Sequence, residues 1–335
     1  MRLVTYDRNG KERLGFIVGS VILDAEYGYE AAKKEIHGTL ASFPSDILSL
    51  LHLGDSGVHE GKKLCAWFAS SHHGTVPPEA VQSVMETRLY APVPRPTSIR
   101  DGYAFRQHVE TARRNRGLEM IPVFDEIPIF YFTNHLAVTG EGDVFVQAEH
   151  LKQLDFELEI AIVIGKEGKN ISARHADEYI FGFTVMNDWS ARALQMQEMQ
   201  MNLGPAKGKD FATSLGPCLV HRDELANKCI PTPNNVGCHY SLAMKAYING
   251  EQVSSGRVSD MRWTFAQIIE RASYGVTLYP GDVIGSGTCG TGCLLELNGS
   301  KVFDPPRWLK VNDVVACEIE GIGILENRIK QAPEA

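Results

Sequence analysis

The stretch LDFELEIAIVIG, Leu154 to Gly165, decides how the chain is read. Its run of β-branched and aliphatic residues predicts a strand, and side chains alternate along a strand. Phe156, Leu158, Ile160, Ile162 and Ile164 therefore share one apolar face. Asp155, Glu157, Glu159, Ala161 and Val163 share the other, which opens acidic and closes apolar. The pattern predicts a strand buried on both faces at its far end, with the two glutamates at its near end. Like charges about 7 Å apart on one face repel. If desolvated, they raise their pKa values or require a cation. Two readings stay open from this segment alone: solvated glutamates on a strand that surfaces, or carboxylates facing a cavity that holds a hard divalent cation.

Around this strand, β patterns dominate: IPIFYFT, HLAVTG, DVFVQA, YIFGFTVMND, SLAMKAYING, DVIGSGT, LLELNG and DVVACEIEGIG. SARALQMQEM and RWTFAQIIERAS interrupt them with helical spacing. Without sustained βαβ alternation or an internal repeat, a doubly wound parallel sheet is disfavoured, and a β-rich α+β domain of mixed sheets is expected. The glycines of Gly285-Ser286-Gly287-Thr288-Cys289-Gly290 spell a dinucleotide fingerprint. LLELNGSKVF follows them where that motif needs a helix, so they are read as letting a loop approach a ligand closely.

Upstream, the chain changes character. Alternating residues flank Asn9-Gly10, a strong hairpin signal, and a second turn falls at Gly19-Ser20. AEYGYEAAKKEIHG, SDILSLLHLG and GKKLCAWFASSHHG then read as helices. The Pro-rich APVPRPTSI, 91 to 99, reads as an extended connector. The expected division is a small N-terminal α/β domain over 1–90 and a catalytic domain over 91–335.

Composition narrows the function. A chain of 335 residues, 44% hydrophobic and 22% charged, can bury a large core. Its net charge is −8, with no basic block or stripe, so nucleic acid is not an expected partner. No window approaches the roughly 18 apolar residues of a membrane span, and the N-terminus carries no export pattern. The seven scattered cysteines, without a CxxC, are expected to be reduced thiols of a cytoplasmic protein and not a disulfide framework. Cys289 and Cys293 with His239 make only a weak zinc pattern.

Other carboxylates bear on the two glutamates. Asp188 closes YIFGFTVMND just before a helical run, where an N-cap is its ordinary use. Asp101, in SIRDGYAF, precedes a glycine as turn residues do. Three or four such oxygens with waters would suit Mg²⁺ or Ca²⁺, with Mn²⁺ a further option.

The succession DFELEIAIVIG, GFTVMNDWSARALQ, GKDFATSLGP and GDVIGSGT closely resembles the fumarylacetoacetase (fumarylacetoacetate hydrolase) family over about residues 100 to 320. The resemblance implies a mixed β-sandwich roll behind a smaller N-terminal domain, and a homodimer. It implies metal-binding carboxylates at Glu157, Glu159, Asp188 and Asp101, with Thr213 and the backbone of Ala212 near the metal and its waters. It places the catalytic base at His108, in DGYAFRQH, and the acid that orients it at Glu296. Lys209 and Gln195 fall where relatives stabilise a departing enolate, and Tyr103, Tyr131 and Thr288 match substrate-contacting positions. Tyr131 also suits a core, being in an apolar strand.

Met199 stands where diketone hydrolases have a substrate-contacting Tyr. One residue is added before Lys209, and the loop from Thr288 to Glu296 is shorter. Arg113, Arg114 and Arg116 all compete for one substrate-binding position.

The resemblance implies a metal-dependent hydrolase that cleaves a C–C bond in a 1,3-diketo acid, as fumarylacetoacetate gives fumarate and acetoacetate in tyrosine degradation. A 2-oxo acid decarboxylase, isomerase or hydratase of the same family is the alternative. A noncatalytic small-molecule binding protein is a more distant one.

Overall fold

The structure is a computed structural model that describes residues 1–70, 76–232, 234 and 236–333. One large sheet runs through strands 81–83, 21–24, 11–18, 2–8, 213–221, 180–188, 158–164, 282–285, 98–102 and 130–133, with 138–139 paired beside 213–214. A second sheet orders strands 251–257, 243–248, 314–319, 323–331 and 142–146. Both mix parallel and antiparallel pairs: 282–285 runs parallel to 98–102, and 323–331 to 142–146. The result is a strand-rich α+β fold with its two mixed sheets packed on each other through 158–164, 180–188 and 213–221.

The alternation in Leu158–Ile164 explains this layering. All seven residues are buried. Phe156, Leu158, Ile160, Ile162 and Ile164 enter the core between the two sheets, with Met244, Val315, Cys317 and Leu325. Ala161 and Val163 enter a second core on the opposite face, under helices Ala25–Ala32, Ile47–His52 and Gly54–Ala69. Each Leu, Ile, Val or Phe side chain so buried contributes roughly 1.5–3 kcal/mol. The two-faced reading of this strand therefore describes the molecule, although the ladder starts at Leu158. Leu154–Asp155 form a separate pair with Ser190–Ala191.

Asn9 and Gly10, both with positive φ, turn the first hairpin. Strand 2–8 then pairs with 213–221, so the N-terminal strands extend the same large sheet. The three helical stretches upstream of the connector are present. The tail of the third, residues 71–74, lies outside the described residues.

Two local expectations are corrected. LLELNG is not a strand but the helix Leu294–Gly299. A six-residue apolar run is ambiguous by pattern, and here Asp155, distant in sequence, accepts the first two helical N–H groups. The cysteines are not all free thiols: Cys229 and Cys238 form a disulfide, Cα to Cα 5.4 Å. Strands Cys229–Pro231 and Cys238–Tyr240 fold onto each other and bring the two thiols together. Cys65, Cys218, Cys289, Cys293 and Cys317 are free. No helix among the described residues is long and apolar enough to cross a membrane.

Candidate functional site: a buried four-carboxylate cluster beside a His–Glu pair

Sheet register builds the acidic cluster. On the face carrying Ala161 and Val163, the same alternation places Asp101 after Ile99, Gly285 after Val283, Asp188 after Met186 and Thr213 before Leu215. Asp101 lies opposite Gly285, Gly285 opposite Ala161, Glu159 opposite Met186, and Asp188 opposite Thr213. Asp101, Glu157, Glu159 and Asp188 thus end on one spot, with carboxylate oxygens within 4.8 Å of one another. All four are buried, Glu159 and Asp188 completely. The solvated reading of the glutamates is thereby excluded.

Glycine makes the approach possible. A Cβ on Gly285 would lie 2.5 Å from Asp101 Oδ1 and 3.0 Å from Glu159 Oε2. The next residue but one, Gly287, donates its N–H to those same oxygens at 3.1 and 3.0 Å. The glycine loop thus closes on side-chain carboxylates, a use of backbone that only a missing side chain permits.

The four acids are not equivalent. Burial opposes the ionisation of Glu157, but the charges of Lys209 and Arg192 outweigh it and hold its pKa far below the ordinary carboxylate value. Lys209 Nζ reaches Glu157 Oε2 at 2.5 Å and Asp188 Oδ2 at 2.7 Å, and Arg192 Nη2 reaches Glu157 Oε1 at 2.7 Å. Glu159 has no such partner: burial and then the neighbouring Asp101 push its pKa well up. Burial and the charge of Asp188 lift Asp101 to about 7. Asp188 is raised by burial despite Lys209.

The donor set fits a hard divalent cation. Glu159 Oε1 and Asp188 Oδ1 are buried without a hydrogen-bond partner, a costly state unless something else satisfies them. With Asp155, five carboxylates face two basic groups, Lys209 and Arg192. An all-oxygen set of this charge suits Mg²⁺, Ca²⁺ or Mn²⁺.

Beside the cluster, helix Arg106–Arg114 turns His108 inward, and its packing on helix Leu294–Gly299 sets His108 Nδ1 2.8 Å from Glu296 Oε2. Both residues are buried. With Nδ1 so engaged, Nε2 is the nitrogen free to move a proton. His108 also clusters with Glu157 and Cys293, ligand atoms within 4.8 Å. The ring of Tyr103 stands edge-on to His108, centroids 5.7 Å apart.

The other expected residues take varied places. Tyr131 donates to Asp188 Oδ2 at 2.5 Å, and burial raises its own pKa. Thr213 and Ala212 are buried at the start of strand 213–221, and Thr288 is buried in the glycine loop. Gln195 Oε1 accepts from Arg192 Nη1 at 3.0 Å. Met199 is half-exposed at the end of helix Arg192–Met199. Arg113 donates to Glu119 O, Arg114 to Thr111 and Arg116 to Ala112 O. Of these arginines, the charge of Arg116 is felt at the Tyr103 phenol.

Arg192 and Asp155 were not anticipated as part of the site, and Cys293 was named only in a weak zinc pattern with Cys289 and His239. Arg192 offered one signal, a charge between alanines at a helix start four residues after Asp188. Among the described residues Cys289 and His239 join neither acidic cluster, whereas Cys293 lies with His108 and Glu157.

Residues 97–330 match the family described as Fumarylacetoacetate (FAA) hydrolase C-terminal. The oxaloacetate tautomerase YisK of Bacillus subtilis (strain 168) is 32% identical over 319 residues, covering 93% of this chain and 95% of that protein. The chain therefore belongs to the fumarylacetoacetate hydrolase family. Two solved structures share the fold. The fumarylacetoacetate hydrolase of Exiguobacterium antarcticum has a TM-score of 0.68 at 23% identity, covering 99% of this chain and 100% of that one. The maleylpyruvate hydrolase of Sphingobium sp. SYK-6, in complex with manganese(II) and pyruvate, has a TM-score of 0.65 at 19% identity with the same coverage. The matched family is described as a hydrolase and the Bacillus subtilis relative is called a tautomerase, so membership does not choose between C–C hydrolysis and proton transfer.

Proposed function

We propose that this chain is a divalent-cation-dependent enzyme that moves a proton on a small 2-oxo dicarboxylic acid, interconverting its enol and keto forms as an oxaloacetate tautomerase does. The observation that carries the reading is the His108–Glu296 pair, 2.8 Å apart and buried against a four-carboxylate cluster. The relative called a tautomerase matches over nearly the whole chain, which favours this chemistry over others in the family.

Asp101, Glu157, Glu159 and Asp188 would hold the cation, with Thr213 beside Asp188. A bound cation would supply positive charge that favours the enolate of a 2-oxo acid. Mg²⁺ is the first ion to test, with Mn²⁺ and Ca²⁺ beside it. His108, oriented by Glu296, carries the proton between Nε2 and the carbon next to the carbonyl, the role a positioned imidazole fills near neutral pH. Lys209 and Gln195 donate toward the developing enolate oxygen. Tyr103, Tyr131 and Thr288 line the space for the acid. Burial of the cluster excludes bulk water and strengthens each of these interactions.

The second reading is hydrolysis of a 1,3-diketo acid, fumarylacetoacetate included. It is favoured by the same His–Glu pair, which could activate water, and by the buried ammonium of Lys209, which could receive a departing enolate. The two readings part on one experiment. Enol oxaloacetate given to the Mg²⁺-loaded enzyme should ketonise faster than in buffer, with no CO₂ released enzymatically. Diketo acids in ¹⁸O-labelled water should yield no labelled carboxylate. Inert oxaloacetate together with a labelled product would replace tautomerisation by hydrolysis, and rapid CO₂ release by decarboxylation. The homodimer expected for the family has a candidate face in the exposed Leu118, Ile121, Val123, Ile127, Ile129 and Phe132. Sedimentation of the full chain tests it.

A further inference from the structure

Asp155 is fully buried and has no part in the chemistry above. Its two oxygens nonetheless serve both halves of the site. Oδ1 accepts the N–H of Leu294 at 2.7 Å and of Phe156 at 2.9 Å. Oδ2 accepts the N–H of Leu295 at 3.0 Å and Arg192 Nε at 2.8 Å. Leu294 and Leu295 open the helix that carries Glu296, and Glu296 holds His108. Arg192 passes from Asp155 to Glu157 Oε1 at 2.7 Å and to Gln195 Oε1 at 3.0 Å.

A helix of six residues does not sustain itself. Cys293, at its cap position, makes no side-chain capping bond. The first N–H groups of a helix need partners, and here the two partners are supplied from the strand entry that leads into Glu157. The guanidinium of Arg192 would be a costly buried charge without paired carboxylates, and Asp155 and Glu157 are the acids it meets. We propose that Asp155 is a positioning residue that fixes two things relative to each other: Glu157 of the cation cluster, through Arg192, and the His108–Glu296 pair, through the backbone of Leu294 and Leu295. The first half of this stands on geometry alone, and the turnover arm of its test rests on the function proposed above.

Asp155→Asn keeps the shape but has one acceptor oxygen, so its amide N–H groups meet two of the donors. In the full chain, with Mg²⁺ as the probe, affinity by calorimetry should fall about tenfold, and kcat on oxaloacetate about 10- to 100-fold with KM near wild type. Two double-mutant cycles separate positioning from general loosening. In an Arg192→Lys background, Asp155→Asn should cost little further Mg²⁺ affinity. In a Glu296→Gln background, it should cost little further kcat. Losses that simply multiply in both backgrounds overturn the proposal. If Asp155→Asn does not fold, Asp155→Glu, which keeps both acceptor oxygens but moves them, takes its place in the same cycles. The Mg²⁺ arm needs no substrate: if no 2-oxo acid turns over, the proposed function fails while the tie of Asp155 to Glu157 through Arg192 is still decided by the affinity cycle.

Discussion

Asp24 in the N-terminal layer and the Asp101, Glu157, Glu159, Asp188 cluster are both shut away from water. Asp24 has a donor for every lone pair it turns inward: Tyr6 Oη and Arg13 Nε at 2.6 Å, Arg13 Nη2 at 2.8 Å and the N–H of Tyr27 at 2.9 Å. Burial opposes its charge, yet these bonds outweigh it, and its pKa lies below the ordinary carboxylate value. In the cluster, two oxygens have no donor, and three of the four acids are pushed upward. A buried acid that serves the fold is satisfied within the fold. One left unsatisfied by its own chain is built to be satisfied by something that arrives, and its pKa is displaced accordingly.

Substitution of the cluster should show the largest effects, with opposite signs in the metal-free state. Glu157→Gln, Glu159→Gln and Asp188→Asn should each weaken Mg²⁺ binding by on the order of 10²-fold or more, beyond the 10- to 100-fold that outer partners cost. Without metal, Glu159→Gln removes a buried acid with no basic partner and should raise the melting temperature, whereas Glu157→Gln takes from Arg192 and Lys209 one of the two carboxylates each meets and should lower it. Calorimetry and thermal melts read both. Equal melting shifts would erase the division of the cluster into tethered and bare acids. His108→Ala should leave Mg²⁺ affinity near wild type and reduce turnover by on the order of 10² to 10⁴-fold. Full turnover in that variant would remove His108 from the chemistry.

Gly285→Ala tests the geometry from the other side. Its methyl would fall 2.5 Å from Asp101 Oδ1 and 2.9 Å from Met186 Sδ, so the carboxylates must part. We expect Mg²⁺ affinity to fall at least tenfold while far-ultraviolet circular dichroism is unchanged. Unaltered binding would mean that Asp101 and Glu159 need not meet over this glycine.

Much of this contrast was readable in the chain. A period of two in DFELEIAIVIG separates the two cores and sends Glu157 and Glu159 to one face, because register on a doubly buried strand has no slack. Asp101 and His108 were legible only through family resemblance, since a turn acid and a helical histidine have commoner uses. Arg192 and Asp155 were not legible. An ion pair leaves no periodicity, and each member looks ordinary until the fold joins positions 37 apart. The helix at LLELNG was missed for a related reason, its first partners being 139 and 140 residues upstream. The Cys229–Cys238 bridge likewise depends on a strand pairing that cysteine spacing does not announce.

Asp24→Asn should cost the fold rather than the site. Arg13, half-buried and still paired with Glu26, would then face a neutral partner at the buried Asp24 position, a loss of about 1–3 kcal/mol. Because the folded pKa of Asp24 is depressed, its stabilisation is present above the unfolded value of about 3.9 and is lost as pH falls through the folded value. Urea melts should show the loss at neutral pH with Mg²⁺ affinity intact. Weakened Mg²⁺ binding would instead tie Asp24 to the site.

The smallest effect concerns His221, whose ring is buried edge-on to Phe181, centroids 5.2 Å apart. Its Nδ1 accepts the N–H of Asp223 at 3.3 Å, which suits the neutral ring. Burial, against the pull of Asp223 and helped by Lys62, lowers its pKa to about 4. In the unfolded chain a histidine titrates near 6.5. Between those two values the unfolded state binds a proton that the folded state refuses, so stability falls as the solution is acidified from about 6.5 and stops falling near 4 for this group. The contribution is on the order of 1–2 kcal/mol once solvent screening is allowed for. His221→Asn should lower stability at pH 7 by little and flatten the slope between pH 6.5 and 4.5, read from urea midpoints at several pH values. An unchanged slope would assign the acid sensitivity in that window to other groups, leaving Asp24 as the acid-sensitive partner on the N-terminal side.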